Sequence, residues 1–298
     1  MKTLIVIAGP TGIGKTDLSI ELAQMLDTYI ISSDSRQIYN ELKIGTAAPT
    51  SDDLAKVKHY MVGNKSIYDY YSAGKYEIEV LDILKDIFMD KDTALLVGGS
   101  GMYIDAVCKG IDALPDADSE IRKQLIEKYE KEGIESLRFD LKRLDPEHYK
   151  AVDLNNPKRI LRAVEVCIQT GKTYTSFHTK QKKKRDFNIL KIGLERDRNE
   201  LYDRINKRVD LMLEQGLIEE ARKFHKDKHL NSLNTVGYKE LFAYFDKEYD
   251  LEEAVRLIKR NSRRYAKRQM TWFKRDNDFR WFHPDDKIEI TNFINANI

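Results

Sequence analysis

The feature that most constrains this 298-residue chain stands at its start, where Leu4-Ile5-Val6-Ile7-Ala8 runs straight into Gly9-Pro10-Thr11-Gly12-Ile13-Gly14-Lys15-Thr16. The octapeptide fits the phosphate-loop pattern G-x-x-x-x-G-K-[ST], with an apolar strand before it and an amphipathic helix after it. Glycines at these positions let backbone N–H groups turn inward onto phosphate oxygens, and the helix N-terminus adds its positive end. Lys15 is placed to reach a terminal phosphate, and the Thr16 hydroxyl to hold Mg²⁺. A plain glycine turn between strand and helix accounts for the spacing but not for the pattern in this context. The loop therefore predicts phosphate binding without identifying the phosphate donor.

The rest of the first third alternates in the βα manner. Leu4–Ala8, Tyr29–Ser32 and Ala94–Val97 read as strands, Lys15–Leu26 and Tyr76–Met89 as helices. Short apolar strands between helices imply a parallel sheet covered on both faces, with its ligand site at the carboxyl ends of the strands. The glycine loop, the Asp34 loop and the Gly98–Gly101 loop all leave that edge. From about Pro115 the pattern becomes helix after helix: Glu120–Lys131, Ile134–Leu141, Pro146–Val152 and Pro157–Thr170. A polar stretch, Gly171–Arg185, follows; Asn188–Leu194 is again a strand, and charged helices run from Arg198 onward. The expected architecture is an α/β P-loop core with a parallel sheet, residues 1–114 and 187–298. An all-helical insertion of about 70 residues, 115–186, interrupts it, a size suited to a small subdomain.

Composition excludes several classes. Hydrophobic content of 41% with 34% charged residues is globular rather than disordered. The two cysteines, Cys108 and Cys167, have neither zinc nor disulfide spacing, so a reducing cytoplasm is the expected compartment. The apolar run at the N-terminus is too short for a signal segment, and no run approaches a membrane span. The six histidines show no ligand spacing. Net charge is only +2, yet Arg256–Arg275 holds nine Lys/Arg and no acid. Within it Arg256, Arg260, Arg263 and Lys267 share one helical face, and Ile258, Tyr265 and Trp272 another. A helix packed by one face and basic on the other suits a nucleic-acid backbone. Lys180, Lys182, Lys183, Lys184 and Arg185 form a shorter basic run that reads as a solvated loop. Trp272, Phe273, Trp281 and Phe282 read as packing residues.

A P-loop ATPase usually ends a buried strand in an Asp that helps hold Mg²⁺. Here Ala94–Val97 ends in Gly98-Gly99-Ser100. The first acidic side chain near the phosphates is Asp34, which fits two roles equally: a general base for an acceptor opposite the phosphates, or a turn residue capping its own loop.

Taken together, the residues resemble the tRNA dimethylallyltransferase (tRNA isopentenyltransferase) family. The matching stretches are GPTGIGKT at Gly9–Thr16, DSRQIY at Asp34–Tyr39, IGTAAP at Ile44–Pro49 and LVGGSGMY at Leu96–Tyr103. LPDADSEIR at Leu114–Arg122, RILRAVEV at Arg159–Val166, VGYKE at Val236–Glu240 and AKRQMTWF at Ala266–Phe273 complete them, in the family's order and across nearly the whole chain.

The resemblance implies Mg²⁺-dependent transfer of dimethylallyl from its diphosphate to the exocyclic amine of the adenosine 3′ of the anticodon. It implies that Gly9, Pro10, Thr11, Gly12, Ile13, Gly14, Lys15 and Thr16 hold the diphosphate, with Arg222 adding a contact. Asp34 would take the proton, with Lys15, Thr16 and Ser100 in the catalytic set. Asp34, Ser35, Arg36, Gln37, Ser100, Arg122 and the run Lys158, Arg159, Ile160, Leu161, Arg162 would contact tRNA, beside the basic-face residues Arg263 and Lys267. Lys158 stands where Gln is common in the family, Ser100 where Thr is common, and Arg36 where an apolar residue is common. The chain ends at Ile298 without the zinc finger of eukaryotic relatives, which resembles the bacterial form; a monomer is expected. Whether ATP also binds the loop is open. The rival readings are a small-molecule kinase, a prenyltransferase of free adenine nucleotides, and a non-catalytic RNA-binding module.

Overall fold

The computed structural model describes residues 1–179 and 183–298, so Lys180 and Lys182 of the second basic run lie outside the described residues. The chain divides into two compact units, one made of Met1–Lys109 and Lys184–Ile298, the other of Gly110–Lys183. The larger unit is built on six strands: β1 (Thr3–Ala8), β2 (Ile30–Ser33), β3 (His59–Tyr60), β4 (Thr93–Gly98), β5 (Asn188–Leu194) and β6 (Arg280–Phe282). All pair in parallel, in the order β3-β2-β4-β1-β5-β6. The helices are α1 (Lys15–Met25), α2 (Ser51–Lys56), α3 (Ala73–Asp90) and α4 (Gly101–Lys109) in the larger unit. In the smaller unit they are α5 (Ser119–Glu132), α6 (Ile134–Leu144), α7 (Pro146–Ala151) and α8 (Pro157–Thr170). The larger unit resumes with α9 (Arg198–Glu214), α10 (Leu217–Lys223), α11 (Tyr238–Phe245), α12 (Leu251–Phe273) and α13 (Lys287–Asn295). Among the described residues no helix is long and apolar enough to cross a membrane.

Every residue of β1 and β4 is buried, which is why both read as unbroken apolar runs instead of alternating ones. Alternation reappears in which core each residue enters. Leu4, Val6 and Ala8 of β1 join the core on one face, and Ile5 and Ile7 join the core on the other. The edge strands β3 and β6 span two and three residues, too few for any period to show in sequence.

The smaller unit has its own core of Leu125, Leu137, Leu141, Ile160, Ala163 and Val164. Its helices start at side-chain caps: Asp118 for α5, Asp145 for α7 and Asn156 for α8, the last two with proline in the first turn. The units meet in sequence at 109/110 and 183/184, a few residues before the 114/115 and 186/187 boundaries expected from sequence. Arg185 explains the second shift, because its guanidinium donates to the carbonyls of Ala106 and Val107 and to Glu77, all at 2.8 Å, which ties it into the larger unit. Asp112 explains the first, since it accepts from the Thr179 N–H at 3.1 Å and hydroxyl at 2.7 Å within the smaller unit.

Candidate active site

A cavity of about 470 Å³ opens at the carboxyl ends of the strands in the larger unit. The loop after β1 supplies Thr11, Gly12, Gly14, Lys15 and Thr16, the loop after β2 supplies Asp34, and the end of β4 supplies Gly98 and Gly99. Gly12 and Gly14 hold φ of 79° and 106°, a region closed to most side chains, which the tight curl of the loop requires. Lys15 folds back across the loop and donates to the carbonyls of Gly9 at 2.9 Å and Pro10 at 2.8 Å. Burial and the neighbouring Arg208 guanidinium push the Lys15 ammonium down to about 7, against a smaller opposing pull from Asp34.

The rest of the loop is tied by side chains of distant elements. Arg204 Nε donates to Gly12 O at 3.0 Å, Arg196 Nε donates to Ile13 O at 3.0 Å, and the Thr11 N–H donates to Gln269 Oε1 at 2.9 Å. Three loop members of the expected diphosphate set stand outside the cavity lining. Gly9 and Pro10 present carbonyls to Lys15, and proline has no N–H to offer a phosphate. The Ile13 side chain is fully buried in the core beneath.

Arg222 stands apart from the loop residues expected at the diphosphate. It sits in α10 with its guanidinium 4.3 Å from the centre of the Phe245 ring, and it does not line the cavity. Arg208, which sequence reasoning passed over, does line it. Its hydrogen bond is to Thr46 O at 3.4 Å, and no carboxylate within salt-bridge distance neutralises it among the described residues. Burial pushes this guanidinium below its ordinary value, opposed by Asp34, so it is a desolvated cation facing the loop lysine. Two neighbouring basic side chains make this end of the cavity suited to an anion. A signal was available in sequence: Ile205, Val209 and Met212 form the buried stripe of α9, and Arg208 lies on its border.

Thr46 is held by an anchor that the sequence did not announce. The buried Glu220 carboxylate accepts from the N–H groups of Lys43, Ile44 and Gly45 at 3.0, 2.9 and 2.8 Å, and from the Tyr238 hydroxyl at 2.5 Å. Beyond Arg208 on α9 the lining turns apolar with Val209 and Met212, joined by Leu217, Val236 and Ile258. The cavity thus has a cationic end and a greasy wall.

Asp34 caps its own turn and also faces the cavity. Its Oδ1 caps the turn, accepting from the Arg36 N–H at 2.8 Å and the Gln37 N–H at 3.3 Å. Oδ2 makes no hydrogen bond among the described residues, and the side chain lines the cavity. Ser100 Oγ accepts from the Ser35 N–H at 2.9 Å, and Arg36 Nη2 donates to Asn234 O at 3.5 Å. The Gln37 amide is committed within the loop, on Ser32, Thr46 and Ala47. Tyr265 of α12 lines the same side of the cavity, its phenol pushed up to about 12 by burial and by Asp34.

Of the expected basic-face residues, Lys267 is exposed, whereas Arg263 is half-buried and donates to Asn206 Oδ1 at 2.6 Å. Arg122 and the run from Lys158 to Arg162 belong to the smaller unit. Lys158 and Arg159 are exposed at the N-terminal end of α8. Ile160 is fully buried and Leu161 packs on the same core, because i, i+3 and i+4 neighbours Ala163 and Val164 pull that face inward. Arg122 and Arg162 converge on the buried Glu165, at 2.7 and 2.8 Å.

Fold and site together define a P-loop α/β enzyme that seats a phosphorylated group beside an apolar wall and a carboxylate, with no acidic residue at the end of β4. Comparison with known proteins narrows this class. A family model described as IPP transferase matches residues 37–276. The chain is 59% identical over 297 residues to "tRNA dimethylallyltransferase 1" of Bacteroides fragilis, covering 100% of this chain and 99% of the relative. It is 56% identical over 293 residues to "tRNA dimethylallyltransferase 1" of Porphyromonas gingivalis, with 98% of each covered. Among solved structures, the full-length tRNA isopentenylpyrophosphate transferase of Bacillus halodurans superposes with a TM-score of 0.72 at 36% identity, covering 99% of this chain and 96% of that one. A eukaryotic dimethylallyltransferase described as acting on tRNA superposes with a TM-score of 0.76 at 25% identity, covering 91% of this chain and 70% of that one. The chain belongs to the IPP transferase family, the tRNA dimethylallyltransferases, and is a prenyltransferase.

Proposed function

We propose that this enzyme transfers a dimethylallyl group from dimethylallyl diphosphate to the exocyclic amine of the adenosine 3′-adjacent to the anticodon of tRNA. The observation that carries the reading is one cavity joining Lys15, Thr16 and Arg208 to Asp34 across an apolar wall. The diphosphate sits on the inward N–H groups of the loop, between Lys15 and Arg208, and the five-carbon chain lies along Val209, Met212, Leu217 and Ile258. The amine nitrogen attacks the first prenyl carbon, the bond from that carbon to the diphosphate oxygen breaks, and the amine proton passes to Asp34 Oδ2. Lys15 and Arg208 stabilise the charge that grows on the departing oxygens.

The donor set at the loop fits Mg²⁺. Thr16 offers a hydroxyl at the cavity, and among the described residues no group of three or more His, Cys, Asp or Glu could hold a metal by itself. A small hard cation bound by one protein oxygen completes its shell with phosphate oxygens and water. Bound there, Mg²⁺ would neutralise charge on the leaving diphosphate.

For tRNA, the exposed Lys158 and Arg159, the Arg122–Glu165–Arg162 cluster, Lys267 and the Ser35–Arg36 turn are the proposed contacts. An adenosine in an anticodon loop has no pairing partner to lose, which lowers the cost of drawing its base into a cavity. Asp34→Asn tests the assignment. Turnover should fall by about 10²–10⁴-fold, the usual worth of a positioned base, while tRNA binding stays within twofold. Loss of binding in step with turnover would reassign Asp34 to the turn alone.

A further inference from the structure

We propose that Gln269 is a positioning residue that holds the leaving-group loop and the acceptor-side turn in register. The inference rests on the prenyl-transfer reading above and assigns a role within it. Gln269 lies near the end of α12, 6% exposed, with both ends of its amide committed. Oε1 accepts from the Thr11 N–H at 2.9 Å, and Nε2 donates to Gly99 O at 2.9 Å. A carboxylate could accept from Thr11 but could not donate to Gly99, and an apolar side chain could do neither. The sequence makes room for this bridge: a Cβ on Gly99 would lie 2.2 Å from Gln269 Nε2.

The bridge continues beyond Gly99. The next residue, Ser100, donates its N–H to Ser33 O at 3.1 Å and accepts the Ser35 N–H on its hydroxyl at 2.9 Å. Ser33 and Ser35 flank Asp34. A continuous path therefore joins Thr11, at the head of the diphosphate loop, to both neighbours of the proposed base, and Gln269 is the side chain on it that links Thr11 to Gly99. The displacement needs the leaving oxygen, the prenyl carbon and the amine nitrogen in line. A shift of about 1 Å between the groups that hold them can cost about 10²-fold in rate.

The test compares Gln269→Met and Gln269→Glu with the unmodified enzyme. It measures kcat and KM with tRNA and dimethylallyl diphosphate, equilibrium binding of pyrophosphate and of tRNA, and thermal melting. Transfer by the unmodified enzyme is established first, since its absence would sink the prenyl-transfer reading and not this inference. In folded Gln269→Met, kcat should fall about 10²-fold, the cost of lost alignment, with pyrophosphate and tRNA binding within about threefold of the parent. Gln269→Glu should fare no better, because the donation to Gly99 is lost. A merely structural glutamine would lower the melting temperature and leave kcat of the folded protein unchanged, which would overturn the inference. So would a fall in kcat/KM carried by weaker pyrophosphate binding, or full activity in Gln269→Glu. Should Gln269→Met not fold, Gly99→Ala displaces the amide from the other side and must reproduce the kcat defect with binding retained; normal kcat there overturns the inference equally.

Discussion

Lys15 is the residue whose physics reaches furthest. Its ammonium is pressed toward neutrality by burial and by Arg208, so near pH 7 the resting site already holds less charge than its composition suggests. A bound diphosphate favours the protonated form and raises the lysine's proton affinity. Above about pH 7 the free site has lost the proton while the bound site keeps it, so binding takes up a proton and affinity falls as pH rises. Calorimetry at pH 8 in two buffers of different ionisation enthalpy should detect uptake approaching about one proton per pyrophosphate. Lys15→Arg, whose charge does not titrate in this range, should show that uptake abolished. Equal uptake in both proteins would place the proton elsewhere. Arg208 gives a second expectation at this scale. Removing a charged hydrogen-bond donor costs about 1.5–3 kcal/mol, so Arg208→Ala should weaken pyrophosphate binding by roughly 10- to 150-fold. Arg222→Ala, which removes a guanidinium stacked on Phe245, should leave it within twofold. The opposite ranking would restore Arg222 to the site.

Among the elements, α12 carries the widest range of duties. Its inner side buries Ile258, Ala266 and Phe273, aims Tyr265 and Gln269 at the cavity, and places the Trp272 indole N–H 2.8 Å from Asp105 Oδ2. Its outer side leaves Arg264, Lys267 and Arg268 exposed. The regular spacing of Arg256, Arg260, Arg263 and Lys267 suggested a single basic stripe, but spacing reports a face and not the partners that face meets. Arg256 pairs with Glu253 at 2.6 Å, and Arg263 is drawn inward onto Asn206. Local acid and a neighbouring helix have thus absorbed part of the stripe. Replacing Lys267 and Arg268 together by alanine should weaken tRNA binding and reduce the slope of log K against log salt by about one to two units, one per lost phosphate contact. Arg256→Ala should leave that slope unchanged. A slope unaltered by the double change would remove α12 from the RNA-facing surface.

At the scale of the whole molecule, what sequence disclosed followed from how local each signal is. β1, its loop and α1 are adjacent in the chain, and their pattern implied a parallel sheet with a phosphate site at its carboxyl edge; the structure has the parallel sheet and a cavity lined by that loop. The helical run after Pro115 was equally plain, since 3.6-residue periodicity needs no distant partner. The two- and three-residue edge strands were not legible, because pairing with β2 and β5, and not their own composition, makes them strands. The site divides along the same line. Lys15, Thr16 and Asp34 were visible from the loops that hold them. Arg208, Glu220 and Gln269 act on residues 162, 175 and 258 positions away, distances at which no spacing rule operates. Arg208 and Arg222 make a related point: in charged helices, sequence does not show which arginine lines the cavity. Transfer of dimethylallyl to tRNA is read out by incubating the enzyme with Mg²⁺, labelled dimethylallyl diphosphate and unmodified tRNA, with AMP and ATP as parallel acceptors. Label recovered in tRNA, on the adenosine beside the anticodon and nowhere in the nucleotides, is the predicted result; label in AMP alone, or ATP consumed with no prenyl transfer, would contradict it.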